Sequence, residues 1–275
     1  MTGALSQLAG NADAILGMIP RWSYRPRAVA EASEALRETH LEQMRVAFVG
    51  GGTQISLGAP PQALDAVIHT DGLSRLVEYA PSDLVITVEA GMTLSQLQTA
   101  AAQHHQRLAL DPPRPELATL GGIIATNAFG PRRTQFGSVR DLLIGITLIL
   151  ADGTVAKGGG KVVKNVAGFD LPKVLCGSLG TLAMIATATF RLHPLPEASA
   201  TSIIAAGTGS QSWSIVQAIK AAQLEPSSIA AVWTRGLWNV GVRFEGFRAG
   251  VAQQTARLRE IAAKTGFSTE TLEDT

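Results

Sequence analysis

The sequence predicts an α+β protein. Two stretches in which strand-like runs alternate with helical patterns are separated by His193-Pro194-Leu195-Pro196, a break that no regular helix or central strand crosses. In the first stretch, short apolar runs rich in β-branched residues lead into, or are interrupted by, glycine-rich loops, which is the pattern of strands ending in tight turns. With 275 residues, 46% apolar and 16% charged, the chain can bury one large core or two modest ones.

The elements follow in order. Leu5, Leu8, Ile15 and Leu16 have the spacing of a short amphipathic helix, so residues 1–25 are expected to be an N-terminal helical segment. Pro26 precedes a second helical pattern over 29–44, rich in Ala, Glu and Leu. Residues 46–49 form a short apolar strand running into a triple glycine, and 66–68 and 84–89 are further strands. Residues 93–103 read as a helix with Thr93 as its N-cap. The small-residue segment 122–128 is expected to be a helix packed close to a ligand or sheet. Residues 142–150 and 154–157, joined through Asp152-Gly153, read as a β-hairpin. A long strand spans 181–192. Beyond the proline break come strands at 202–205, 229–234 and 237–244 and helices at 212–222 and 248–263, with a polar tail, 268–275, expected to fray.

The bulk chemistry narrows the function classes. Lys and Arg total 23 against 22 Asp and Glu, so no net field favours nucleic acid or anionic lipid. The single cysteine, Cys176, excludes an internal disulfide and suits a reducing compartment. Residues 1–20 lack the basic start and unbroken apolar core of a signal peptide. No run of about 20 apolar residues is present to span a membrane. The five histidines lack ligand spacing with a second His, Cys or carboxylate, so no metal site is expected. No Gly-x-Ser-x-Gly elbow occurs.

Four glycine-rich stretches carry the chemistry: Gly50-Gly51-Gly52-Thr53; Thr119-Leu120-Gly121-Gly122; Gly130-Pro131-Arg132-Arg133 with Gly137-Ser138; and Gly177-Ser178-Leu179-Gly180-Thr181. Any one of them alone reads more readily as a tight turn. As an ordered set they suggest backbone N–H nests for a large anionic cofactor. The P-loop is excluded, because Thr53 is followed by Gln54 and Gly160-Lys161 by Val162. A Rossmann loop lacks its third glycine. Ala125, Thr126, Asn127 and Ala128 leave room for something flat; Asn127 either hydrogen-bonds it or caps a helix. Arg132, Arg133 and Arg140, with Lys161 and Lys164, are either solvated or charge partners for an anion.

Taken together, these stretches resemble the FAD-binding domain of the vanillyl-alcohol oxidase (PCMH) type. The likeness is carried by the glycine stretches with Gly58, Val88-Glu89-Ala90-Gly91, Ser138-Val139-Arg140-Asp141, Ala151-Asp152-Gly153 and Gly177-Ser178-Leu179-Gly180-Thr181-Leu182. It covers roughly residues 26–194. Within that family the chain is most similar to the FAD-binding accessory subunits of glycolate oxidases, through Gly130-Pro131-Arg132-Arg133, the segment 164–170 and the stretch 233–246. The resemblance implies a PCMH-type domain of two α+β subdomains over 26–194, then a short partial α+β cap domain over 195–275.

It also implies FAD as cofactor. Gly50, Gly51, Gly52, Thr53 and Gln54 would take the pyrophosphate through backbone N–H groups, with Gly58 beside them. Asp111, Pro112, Thr119, Gly121, Gly122, Ala125, Thr126, Asn127, Gly130, Arg133, Gly137 and Ser138 would run along the flavin and its ribityl chain. Gly180, Thr181 and Ile185 would approach the adenine or flavin edge. Thr53 stands where covalent members carry His, so the flavin is expected to be non-covalent; Val49 replaces a frequent Arg and Ala183 a frequent Gly. The implied activity is that of a flavin-dependent 2-hydroxy acid (glycolate) oxidoreductase subunit. It would work with a catalytic flavoprotein subunit and an iron–sulfur subunit, in the cytoplasm or at the inner face of the membrane. A stand-alone oxidoreductase and a structural subunit that has lost FAD are the alternatives. No histidine follows His193, so the metal-ligating histidines of hydroxy-acid-oxidising relatives are not expected, and no catalytic base is assigned.

Overall fold

A computed structural model describes residues 6–160 and 170–274. Leu5, Lys161, Lys164 and residues 165–169, read above from sequence, lie outside the described residues. In chain order the elements begin with β1 (Ser6–Leu8), β2 (Trp22–Tyr24), α1 (Val29–Leu41), β3 (Val46–Val49), β4 (Ala66–His69), β5 (Leu76–Ala80) and β6 (Val85–Glu89). Next are α2 (Leu94–Ala102), β7 (Gln106–Arg107), α3 (Leu120–Thr126), α4 (Arg133–Phe136), α5 (Val139–Leu142), β8 (Leu143–Ile149) and β9 (Val155–Gly159). Then come α6 (Leu171–Leu175), β10 (Met184–Arg191), β11 (His193–Pro194), β12 (Ala198–Gly207) and α7 (Gly209–Ala221). The last are β13 (Ser228–Thr234), β14 (Leu237–Gly246), α8 (Arg248–Lys264) and β15 (Thr269–Asp274). The chain divides into two compact units, residues 1–129 with 138–193, and residues 130–137 with 194–275.

Among its described residues the first unit contains a four-stranded and a five-stranded sheet. One has the order β1-β2-β4-β3, with β2 and β3 both parallel to β4 and β1 antiparallel to β2. Every residue of β4 is buried, because it is covered on both faces. Ala66 and Ile68 share a core with Ala32, Ala35 and Leu36 of α1, whereas Val67, on the opposite face, packs with Ile15 and Leu64. Helix α1 presents Ala32, Ala35, Leu36 and Thr39 as its buried stripe, the i, i+3, i+4, i+7 spacing of an amphipathic helix. It stops at Leu41, three residues earlier than the sequence suggests, and Gln43 just beyond takes a left-handed conformation (φ 53°).

The other sheet has the order β5-β6-β10-β8-β9 and is antiparallel throughout. Its β8–β9 hairpin turns as expected at Asp152-Gly153, where Asp152 Oδ1 accepts the Thr154 N–H at 2.8 Å. Helix α2 starts with a reciprocal cap: Thr93 Oγ1 accepts the Gln96 N–H at 3.3 Å and Gln96 Oε1 accepts the Thr93 N–H at 2.9 Å.

In the second unit an antiparallel sheet, β13-β14-β12-β15, packs with α7 and α8. Ile204, Ile215, Ile219, Val240, Val242, Phe244 and Leu258 form its core. Strand alternation places Arg243 and Glu245 on the face opposite to Val242 and Phe244. There the buried Glu245 carboxylate accepts from both Arg132 and Arg243 at 3.3 Å.

Two expectations are corrected. Over its described residues, 6–25, the N-terminal segment is not the expected amphipathic helix: it forms β1, a short 3-10 turn at Asn11–Asp13 and β2, with an isolated bridge between Ile15 and Met18. The tail does not fray through Asp274: β15 pairs antiparallel with β12 over six residues, and Ser202 and Thr271 hydroxyls meet at 3.1 Å. Its polar composition hides a strand whose binding comes from satisfying the β12 backbone groups, a demand set by the neighbour rather than by the tail itself.

Candidate cofactor site

The first unit holds a cleft of about 360 Å³. One wall is β3 with the loop that follows it, contributing Val49, Gly50, Gly51, Gly52, Thr53, Gln54, Ile55 and Leu57. A second wall is the start and inner side of α3, with Thr119, Gly121, Gly122, Ala125 and Thr126. A third is the loop into β10, with Leu179, Gly180, Thr181, Ala183, Met184 and Ile185. Ile15, Thr70, Ala59 and Pro61 complete the lining.

The loop after β3 is held from behind. Gly50 abuts the Thr119 hydroxyl, and Gly51 abuts the Leu117 carbonyl, leaving neither any room for a β-carbon. The Arg114 guanidinium donates to the Thr53 carbonyl at 2.6 Å. Gly52, by contrast, has φ 65° and no atom near the position of a β-carbon. Within the loop the Ile55 N–H donates to the Gly52 carbonyl and the Leu57 N–H to the Gln54 carbonyl. The N–H groups of Gly51, Gly52, Thr53 and Gln54 have no acceptor among the described residues. Such a run of undirected donors next to open space is an anion nest.

Helix α3 begins with Thr119, whose Oγ1 accepts the Gly122 N–H at 3.3 Å, and ends at Asn127 in a left-handed conformation (φ 48°). Its last turn also fixes the third wall: Gly177 and Leu179 N–H groups donate to the Ile124 and Ala125 carbonyls at 3.0 and 2.8 Å. Loop and helix are therefore joined through the backbone. Asn127 Oδ1 and Ser178 Oγ are buried and have no partner among the described residues, and each adjoins a residue of the cleft lining.

Among the described residues, no charged side chain lines the cleft. An anion there is stabilised by peptide dipoles, whose N–H groups approach more closely than a mobile side chain and carry no ordering cost on binding. The open nest, the free face of Gly52 and the two unpartnered buried oxygens fit an extended ligand with a phosphate-rich middle and hydrogen-bonding ends, which describes FAD.

Of the residues expected from sequence, the structure brings Gly50, Gly51, Gly52, Thr53, Gln54, Thr119, Gly121, Gly122, Ala125, Thr126, Gly180, Thr181 and Ile185 to this one cleft. Gly58, Asp111, Pro112, Asn127 and Ser138 are in the same unit but outside the lining, and Gly130, Arg133 and Gly137 belong to the second unit. Ser138 instead caps α5 with Asp141. Sequence reasoning missed Ile15, Thr70 and the lining residues of β3, and also Arg114 behind the loop. For β3 the signal was adjacency to the triple glycine; for Ile15 and Arg114 there was none, because their places depend on contacts distant in sequence.

Comparison with known proteins agrees with this geometry. Residues 20–159 match the FAD binding domain family. The chain is 40% identical over 172 residues to the D-lactate dehydrogenase of Archaeoglobus fulgidus, a match covering 62% of this chain and 38% of that protein. It is 35% identical over 169 residues to glycolate oxidase subunit GlcE of Escherichia coli K12, covering 60% of this chain and 47% of the relative. The chain therefore spans less than half the length of these relatives. The solved structure of p-cresol methylhydroxylase with substrate bound superimposes with a TM-score of 0.78 at 15% identity, over 93% of this chain and 58% of that one, and shows the likeness of fold. The match covers half of the sequence and the nest, caps and open cleft suit the ligand: the chain belongs to the FAD binding domain family, with FAD as its cofactor.

Proposed function

We propose that this chain is the non-covalent FAD-binding subunit of a glycolate or other 2-hydroxy acid oxidase or dehydrogenase, exchanging electrons with a catalytic flavoprotein subunit and an iron–sulfur subunit. The observation that carries the reading is the cleft with the open N–H groups of Gly51 to Gln54 and no charged side chain among its described lining residues, in a chain similar to a glycolate oxidase subunit. The N–H groups of Gly51, Gly52, Thr53 and Gln54 would hold the pyrophosphate, Thr119 to Asn127 would run beside the flavin, and Gly180 to Ile185 would close over it through main chain. Thr53 offers no imidazole for a covalent link. When bound, FAD supplies hydride and electron chemistry; this chain's own part is to bind, orient and shield it.

Purification from the native host tests both halves. The expected result is one FAD per chain, released by acid denaturation, with a second flavoprotein and an iron-containing protein in the same complex. A chain that takes up no flavin on reconstitution sinks the proposal. A second reading, a stand-alone FAD-dependent oxidoreductase, is favoured by the likeness to a D-lactate dehydrogenase. Turnover of D-lactate or glycolate by the isolated chain with an artificial electron acceptor would select it.

A further inference from the structure

Residues 6–19 precede the segment that matches the FAD binding domain family, 20–159, yet Ile15 lines the cleft. The apolar contacts of Ile15 are few. It packs with Leu64 and Val67, with Met18, Ala47 and Val49 partly buried around them. A patch of that size does not by itself order a segment whose β1 strand is three residues long.

Beside the pairing of β1 with β2, the segment is tied down by a buried carboxylate. Asp13 is only 8% exposed and has both oxygens occupied. Oδ2 accepts the Gly10 N–H at 2.9 Å, shaping the 3-10 turn. Oδ1 accepts from Ser23 Oγ at 3.0 Å and from the Arg25 guanidinium at 3.2 Å. It also lies 2.8 Å from His69 Nε2; the ionised carboxylate only accepts, so the imidazole donates from Nε2. Ser23 and His69 are buried as well. His69 is the last residue of β4, and the next, Thr70, lines the cleft and donates its N–H to the Val49 carbonyl at 2.8 Å. Val49 leads directly into the glycine loop. One strand end thus carries both the partner of Asp13 and the root of the anion nest.

We propose that Asp13 is a positioning residue for the cofactor: it clasps residues 6–19 onto the end of β4, so that Ile15 takes its place in the lining of the FAD cleft. The inference rests on the assignment of that cleft to FAD. Removing the carboxylate charge leaves the buried His69 and Ser23 donors poorly matched, a loss that apolar contacts of Ile15 do not offset. The segment then loosens and the cleft loses Ile15 from its lining.

The test is FAD titration of the full chain by flavin fluorescence, with hydrogen exchange read over residues 6–19. In Asp13→Asn we expect exchange of that segment to accelerate and FAD affinity to fall about tenfold, the scale of one lost charged hydrogen bond. Ile15→Ala should weaken FAD with exchange of residues 6–12 unchanged. Asp71→Asn removes the charge of the exposed partner of Arg25 (3.2 Å), keeps an oxygen for the Gly72 N–H, and should do neither. Wild-type affinity in both Asp13→Asn and Ile15→Ala overturns the proposal, whether or not the segment loosens. If Asp13→Asn fails to fold, the Ile15→Ala titration decides. No FAD uptake by the wild-type chain is a different result and refutes the cofactor assignment itself.

Discussion

Gly51 rests on the Leu117 carbonyl oxygen so closely that a β-carbon at residue 51 would overlap it. This contact fixes the glycine loop against the approach to α3, and it means that one glycine of the triplet serves the protein and not the ligand. Gly51→Ala must push two backbones apart, because no flexible side chain is present to yield. The expected cost is on the order of 2–3 kcal/mol with loss of bound FAD. At Gly52 a β-carbon meets nothing, so Gly52→Ala pays only for its left-handed φ of 65°, about 1–2 kcal/mol. Thermal melts and flavin content of the two variants side by side check the contrast; equal melting temperatures would contradict it.

Arg114 secures the same loop through the Thr53 carbonyl at 2.6 Å. Its side chain is exposed, so the bond contributes little to global stability but orders residues that supply the nest. Arg114→Ala should speed FAD dissociation about three- to tenfold with a melting temperature near wild type. Stopped-flow displacement of FAD measures it.

Thr119 has two duties: its Oγ1 caps α3 and also fills the space beside Gly50. Thr119→Ser keeps the cap oxygen and should bind FAD nearly as wild type. Thr119→Val keeps the volume, loses the cap and should cost about 1 kcal/mol. Denaturant melts of the pair separate capping from packing.

Acid should weaken the first unit in two stages. Burial, with Arg191 and Arg107 nearby, lowers the His193 pKa from 6.5 to about 4. The unfolded chain therefore binds a proton that the folded chain resists, and stability falls as pH drops from about 6.5 to about 4. Asp13 is held at about 2, first by the Gly10 N–H and then by His69 and Ser23, against the opposing effect of burial. Asp65 is held at about 2 by Arg45. These lowered carboxyl values add stability above their unfolded value of 3.8, and that contribution is lost as pH falls from there toward 2. Melting temperatures across pH 7 to 3 should show both stages, with His193→Gln flattening the first alone.

Much of the fold was legible because local signals agreed with tertiary demand. The strand Val46–Val49, the Thr93 cap and the Asp152-Gly153 turn are found where the sequence puts them. The failures share a cause. Leu8, Ile15 and Leu16 mimic helical spacing, but Asp13 binds across to His69, 56 residues away, and that bond outweighs local periodicity. The tail carries no apolar alternation, and its strand is imposed by the open edge of β12. Similarly, the long strand expected from residue 181 starts at Met184, because residues 177–180 are tied to the end of α3 and three of them, Gly177, Leu179 and Gly180, have positive φ.

The order of the glycine stretches pointed to a large anionic cofactor, and the family resemblance it carries gave FAD and half of the residues that meet in the cleft, since glycine is required wherever two backbones, or a backbone and a phosphate, must come close. Tertiary structure alone decided which glycine plays which part: Gly50 and Gly51 face protein, Gly52 faces open space, and Gly130 and Gly137 join the second unit. It also brought in Ile15, Thr70 and Arg114. The physical reason is that a glycine's conformational freedom is written in its identity, whereas what occupies the space it leaves depends on segments tens of residues away.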